Sequence, residues 1–424
     1  MTFKDYPRIG ERVFRRTLAN GLTVLIVPKP EHAKSYAFFA TNYGGIDMRF
    51  QVDGAWHDTP AGVAHYLEHK LFDTEDGNAL QDLAANGASP NAFTSSAITG
   101  YFFESTEKFE ENLRILLSFV SVPYFTQESV DKERGIISQE IRMIEDEPDW
   151  WAFMGMMAGL YESHPIRVGV AGTVESIQDI TPRTLYDCHR AFYAPGNMVL
   201  CVAGNVDAER ICRIAEEVLP AERRPAAIRD YGAPEPPRAA RPLVERRMAV
   251  PTPIFELGCK GDAPEAGEAT LRTQLIADLA MDVLAGQSSA LYTRLYEQGL
   301  INNEFSCGCE IYPGCAYLYA GGESRDPKAV ADQLGEEARR IAREGIDPDL
   351  WRLVKKAAYG SQVRALNSFE QICVGLAQDF FDGVDGFTFP EVFDSLTAED
   401  AQRLLGAWFT PERTTLSVVW PEEG

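Results

Sequence analysis

This chain of 424 residues is short of histidine, with six, and of basic charge, with 40 Lys and Arg against 63 Asp and Glu for a net charge of −23. Without a basic excess, nucleic acid is excluded as a main partner, because phosphate binding needs a concentrated cationic surface. No stretch of 18 apolar residues occurs, so no membrane span is expected. The opening MTFKDYPRIGERVFRR lacks the apolar core of a secretory signal, and Asp5 and Glu11 do not suit a transit peptide. A cytoplasmic location is expected. Cysteine is sparse as well, and its eight residues lie mostly in apolar settings such as MVLCVAGN, which reads as buried thiols in a reducing compartment. Cys307, Cys309 and Cys315 cluster in CGCEIYPGC, but C-x-C spacing lacks the paired second knuckle of a zinc site.

What is present reads as a folded chain, with 45% hydrophobic and 24% charged residues. The length exceeds one hydrophobic core and predicts two or three domains. Between Leu219 and Met248 the chain carries six prolines by Pro242 and little apolar periodicity. Proline lacks the amide donor and restricts its predecessor, so no helix or central strand is expected there. The reading is an N-terminal domain over 1–218, a linker over 219–248 and a C-terminal domain over 249–424.

The two halves look alike. ITPRTLYDCHRAFYAPGNMVLCVAG from Ile180 matches LTAEDAQRLLGAWFTPERTTLSVVW from Leu396 at a constant offset of 216 residues. Each opens on a threonine helix cap, Thr181 or Thr397, and runs to an aromatic pair, a proline and a β-branched strand. A duplicated α+β domain is the economical explanation. The fold class expected is two homologous α+β domains, each an antiparallel-rich sheet with helices packed on one face.

Against this scarcity of histidine, GVAHYLEHKLF places His65 and His69 four residues apart with Glu68 between them. Chance puts some histidine pair at that spacing in about 7% of such chains, and in about 1% with an acid at the third position. Val63 to Ala85 reads as one helix, with Val63, Leu67, Leu71, Leu80 and Leu83 as its apolar positions. Residues i and i+4 share a face, so two imidazoles can converge on one ion, as tetrahedral zinc requires. The bland alternative is a pair of part-exposed helix histidines with an ion-pairing Glu. The duplication weighs against it: the offset carries His65, Glu68 and His69 onto Met281, Leu284 and Ala285, so folding does not need the polar set. A third ligand can come from DKERGIISQEIRMIEDEPDWW, where Glu133 and Glu140 lie seven residues apart on one helical face. Ile136, Ile137 and Ile141 suggest that this helix is largely buried, and a buried carboxylate needs a partner such as a metal. Spacing alone does not choose between Glu133 and Glu140.

AHYLEHKLF, then GASPNAFTSSAITGYFF, the Glu133–Glu140 segment, HPIRVGVAGTVESI and YAPGNMVLCVAGNVD together resemble the inverted-motif zinc peptidases of the insulinase/pitrilysin family. The half-length members, such as mitochondrial processing peptidase and bacterial cytosolic relatives, are the most similar. The resemblance implies His65, His69 and Glu140 as ligands of one zinc per chain, with Glu68 as general base and Glu133 as the outer carboxylate that orients the site. It further implies that Asn91, Ala92 and Phe93 hold an extended peptide as an added strand. An ordinary hairpin with a core-facing Phe93 is the plainer possibility.

The implied activity is hydrolysis of peptides or unfolded segments by a zinc endopeptidase. A non-catalytic or partner-dependent peptide-binding subunit is the alternative, and a zinc hydrolase of other substrates is more distant. Many members carry an Arg and a Tyr on a second-half segment that reaches the substrate carbonyl. Here SSALYTRLYEQGLINNEF puts Tyr296 and Asn302 near those positions, with Arg294 two residues away. That departure implies a homologous partner subunit, in a heterodimer or a homodimer.

Overall fold

The computed structural model describes residues 2–422. Its contacts divide the chain into two compact units, neither continuous in sequence: 1–141, 168–231 and 363–388 form one, and 142–167, 232–362 and 389–424 the other.

In the first unit Thr2–Tyr6 (β1), Glu11–Thr17 (β2), Thr23–Pro28 (β3) and Ser35–Thr41 (β4) are followed by a small ladder, Arg49–Val52 (β5) and Ala55–Asp58 (β6). Then come Val63–Leu71 (α1), the short hairpin Asp73–Thr74 (β7) and Gly77–Asn78 (β8), Ala79–Ala85 (α2), Ser89–Thr94 (β9) and Thr99–Ser105 (β10). Phe109–Ser121 (α3) and Gln127–Glu145 (α4) lead to Pro148–Leu160 (α5), which belongs to the second unit. Pro182–Phe192 (α6), Met198–Gly204 (β11), Ala208–Val218 (α7) and Ile228–Arg229 (β12) return to the first.

Its main sheet runs β1-β2-β3-β11-β4-β10-β9, antiparallel except where β11 pairs parallel with β3. Strands buried on both faces read as unbroken apolar runs, as TVLIV and YAFFA do. One face, with Val24, Ile26, Phe39 and Leu200, packs against the main helical layer. The other face, with Leu25, Phe38 and Cys201, takes Phe369, Ile372 and Cys373 from a helix of the second half of the sequence.

The second unit is built from Leu243–Met248 (β13), Ile254–Lys260 (β14), Glu268–Ala285 (α8), Ala290–Glu297 (α9), Ser306–Tyr312 (β15) and Cys315–Glu323 (β16). Pro327–Glu344 (α10) and Pro348–Ala365 (α11) follow, then Phe369–Phe381 (α12), the helix lent to the first unit. Phe389–Ser395 (α13), Ala398–Trp408 (α14) and Thr414–Pro421 (β17) complete it. The sheet runs β13-β17-β14-β16-β15, with β13 parallel to β17. Its second face is covered by α5, where Gly159 permits close approach: a Cβ there would clash with Thr415 Oγ1. Each half of the sequence therefore lends one helix to the sheet built mainly by the other.

The repeat predicted from the 216-residue offset has the same local chemistry in both copies. Thr181 caps α6 and Thr397 caps α14, each through a reciprocal capping box. The proline-rich stretch carries no helix and no central strand, since β12 is a two-residue edge and β13 is outermost in its sheet. Two expectations need correction. The helix expected over Val63–Ala85 is two helices, because Glu75 and Asp76 turn the chain between β7 and β8 and the Asn78 side chain caps α2 through Leu80 N. Ile136 is not buried: it is 50% exposed, while Ile137 and Ile141 carry α4's contact with the core.

Candidate metal centre

Helix α1 buries Val63, Ala64, Tyr66, Leu67, Lys70 and Leu71, which leaves His65, Glu68 and His69 on its remaining face. Gly62 starts it at φ 96°, a left-handed conformation, and a Cβ there would fall 2.5 Å from Ala171 O. Helix α4 buries Val130, Ile137 and Ile141 and turns Glu133 and Glu140 toward the histidines.

His65 Nε2 lies 3.4 Å from Glu140 Oε1, and His69 Nε2 lies 3.4 Å from Glu140 Oε2. These separations are at the long end for charged hydrogen bonds. They also match ligand spacing: donors about 2.0–2.1 Å from one tetrahedral ion stand about 3.3 Å apart. One donor atom from each of His65, His69 and Glu140 lies within 4.8 Å of the others, and among the described residues no other trio of His, Cys, Asp or Glu gathers so closely. The eight cysteines are all free thiols, and Cys307, Cys309 and Cys315 form no such group.

Glu133 Oε1 sits 3.1 Å from His69 Nδ1, opposite the nitrogen that faces Glu140. A carboxylate accepting from Nδ1–H fixes the tautomer that leaves the Nε2 lone pair free for a metal. The Lys70 ammonium, fully buried, lies 2.5 Å from Asp73 and 3.8 Å from Glu133 Oε2. His65 has no matching acceptor among the described residues, since its Nδ1 is buried without a hydrogen-bond partner there.

Burial alone would push the His69 pKa down, but the hydrogen bond to Glu133 and the charges of Glu140, Glu68 and Glu133 hold it above its usual value. Hydrogen bonding to His65 holds the Glu140 carboxyl below its usual range against the opposing effect of burial, with the His65 and His69 charges adding. Three carboxylates around two imidazoles make a site whose electrostatics suit a divalent cation. Two nitrogens and one oxygen are three donors of a tetrahedral set, the protein complement of a catalytic zinc rather than of a closed structural one.

Glu68 lies outside the trio, and one of its oxygens, Oε2, accepts a 2.7 Å hydrogen bond from Thr94 Oγ1. Asn91, Ala92 and Phe93 lie on β9, the outermost strand. Phe93 turns to the α12 face and stacks on Phe38 with centroids 5.8 Å apart, so its ring holds the strand to the sheet. Ala92 packs toward the opposite, helical face. In the second unit Tyr296 is 53% exposed and stacks on Tyr292 along α9, while Asn302 donates to Glu323 Oε2 at 3.0 Å. Arg294 donates to Gln333. Thr94 ends the NAFT segment but is not marked in the sequence as a site residue, because nothing in the spacing joins it to Glu68, 26 residues earlier.

Comparison with known proteins agrees with this geometry. Residues 50–174 match the family described as "Insulinase (Peptidase family M16)", and residues 179–358 match "Peptidase M16 inactive domain". The chain is 37% identical over 424 residues to the "Uncharacterized zinc protease YmfH" of Bacillus subtilis (strain 168), covering 99% of each. It is 30% identical over 364 residues to the "Uncharacterized zinc protease SCO5738" of Streptomyces coelicolor, covering 80% of this chain and 73% of that one. The crystal structure of a "putative M16-like peptidase" from Alicyclobacillus acidocaldarius is similar at a TM-score of 0.93, with 32% identity and 97% and 99% of the two chains covered. The chain belongs to the insulinase family of zinc proteases, and it is a single half-length member with a His-His-Glu site in its first unit.

Proposed function

We propose that this chain is a zinc endopeptidase that cleaves peptides or flexible protein segments lying along β9 as an added strand. The observation that carries the reading is the convergence of His65, His69 and Glu140, with Glu68 beside them but outside the ligand set. One zinc per chain is the matching stoichiometry. When bound, zinc supplies a Lewis acid that polarises a peptide carbonyl and lowers the pKa of a water toward about 7. Glu68 takes the proton from the attacking water and returns it to the leaving amine. Glu133 orients His69 from behind. As the edge of its sheet, β9 has backbone groups available to an extended segment near Asn91 and Ala92, which selects for extension more than for sequence.

The reading extends to a homologous partner. Tyr296 stands exposed and the Asn302 amide is engaged by Glu323, which supports a second subunit completing the substrate pocket with an Arg/Tyr pair. Eight unpaired cysteines accord with a cytoplasmic setting. The test is hydrolysis of a panel of quenched extended peptides, together with the mass of the chain in solution. Cleavage that a chelator abolishes and zinc restores is expected. No cleavage by the zinc-loaded chain, alone or with a related subunit, contradicts the function. Full turnover by a stable monomer or homodimer, unchanged by any related subunit, contradicts the heterodimer.

A further inference from the structure

Thr94 is the last residue of β9 and pairs in register with Thr99 of β10. Its side chain leaves the sheet on the same face as Ala92, toward α1, and its hydroxyl donates to Glu68 Oε2 at 2.7 Å. A hydroxyl has one proton to give, so this bond fixes the Thr94 rotor. Behind it, Thr99 Oγ1 lies 3.4 Å from Thr94 Oγ1 and gives its own proton to Tyr43 O at 2.9 Å. Thr99 is fully buried, and two residues further along β10 the buried Tyr101 hydroxyl lies 3.0 Å from that of Tyr193. The Thr94 hydroxyl is thus backed by a buried hydroxyl that cannot turn away to water.

We infer that Thr94 is a positioning residue: its hydroxyl sets the orientation of the Glu68 carboxylate beside His65, His69 and Glu140 and ties that orientation to the edge strand. Glu68 otherwise hangs from a helix by three rotatable bonds, and no other hydrogen bond to its carboxylate is present among the described residues. Holding one oxygen on Thr94 aims the other at the proton it must take. Because the donor sits on β9, a peptide added to that strand steadies the base as well as the substrate. This inference rests on the peptidase reading above, with Glu68 as the base.

Thr94→Val removes the hydroxyl at nearly constant shape, and Thr94→Ser keeps it. In the valine variant kcat is expected to fall about 10–100-fold, the range for loss of an outer hydrogen-bond partner, with KM and zinc content unchanged. Serine restores most of kcat. Crystals of the valine variant should show the Glu68 carboxylate turned or in several orientations, and the serine variant a single parental one. The same readings on Thr94→Ala cover the case in which valine disturbs folding. Parental kcat without the hydroxyl, a serine variant as impaired as valine, a loss expressed only in KM, or an unmoved Glu68 in the valine crystals would overturn the inference. Carboxylate orientation is read without turnover, so a parent chain that cleaves nothing defeats the peptidase reading separately.

Discussion

Helices α1 and α8 hold matching places in their units. Helix α1 packs against α6 and β9, and α8 against α14 and β15, the corresponding elements of the repeat. On α1 three polar side chains line the open face. At the offset positions on α8 Met281, Leu284 and Ala285 are buried in the core. The same offset takes Glu133 and Glu140 to Asp349 and Lys356 on α11, both exposed. One framework therefore accepts a metal site or a plain hydrophobic contact. The second unit shows what packing requires, and whatever the first has beyond that belongs to chemistry.

The comparison can be broken most sharply at Glu68. Glu68→Gln is expected to lower turnover of a quenched peptide about 10²–10⁴-fold, the range for general acid–base catalysis, with zinc retained. Unchanged turnover would remove Glu68 from the mechanism. The ligand assignment is sharpened by zinc affinity. Glu140→Ala or His65→Ala is expected to strip the metal, whereas Glu133→Ala weakens binding by about 10–100-fold as an outer-shell loss. A reversed order between the two glutamates in metal analysis would exchange their roles.

A smaller effect is expected in the second unit. Met281→His places an imidazole in a sealed apolar contact and should cost about 1–3 kcal/mol of stability without adding zinc. Denaturant melts and metal content read both outcomes, and a gain of zinc would show that α8 retains a latent site. The smallest effect concerns the metal-free chain, where His69 is held above 6.5 and Glu140 below 4.5. A raised imidazole stabilises fully below 6.5, and its contribution is lost as pH rises through the folded value. A lowered carboxyl stabilises fully above 4.5, and its contribution is lost as pH falls through the folded value. Both are present between 4.5 and 6.5, so these two groups favour stability in that window. Thermal melts of Glu140→Gln, compared with the parent, should show a weaker loss on the acid side.

Much of this was legible because local chemistry repeats. Thr181 and Thr397 announce their helices through side-chain caps, and the two histidines announce a shared face by spacing alone. The break between α1 and α2 was hidden because Leu80 and Leu83 continue the apolar pattern across a seven-residue interruption. The exchange of α5 and α12 was hidden for a different reason: an apolar face specifies that a helix is buried, not which sheet buries it. Ile136 misled because it lies beside the carboxylates, on the side of α4 that the site leaves open. Choosing Glu140 over Glu133 required the family pattern, since spacing puts both carboxylates on one helical face; in the structure Glu140 meets Nε2 of both imidazoles and Glu133 only Nδ1 of His69.

The most direct measurement is zinc content and peptide turnover determined together on the parent chain, Glu68→Gln and Glu140→Ala. The account predicts about one zinc per chain in the parent and in Glu68→Gln, little in Glu140→Ala, and turnover in the parent alone. Zinc that stays with Glu140→Ala, or turnover that survives in Glu68→Gln, would contradict it.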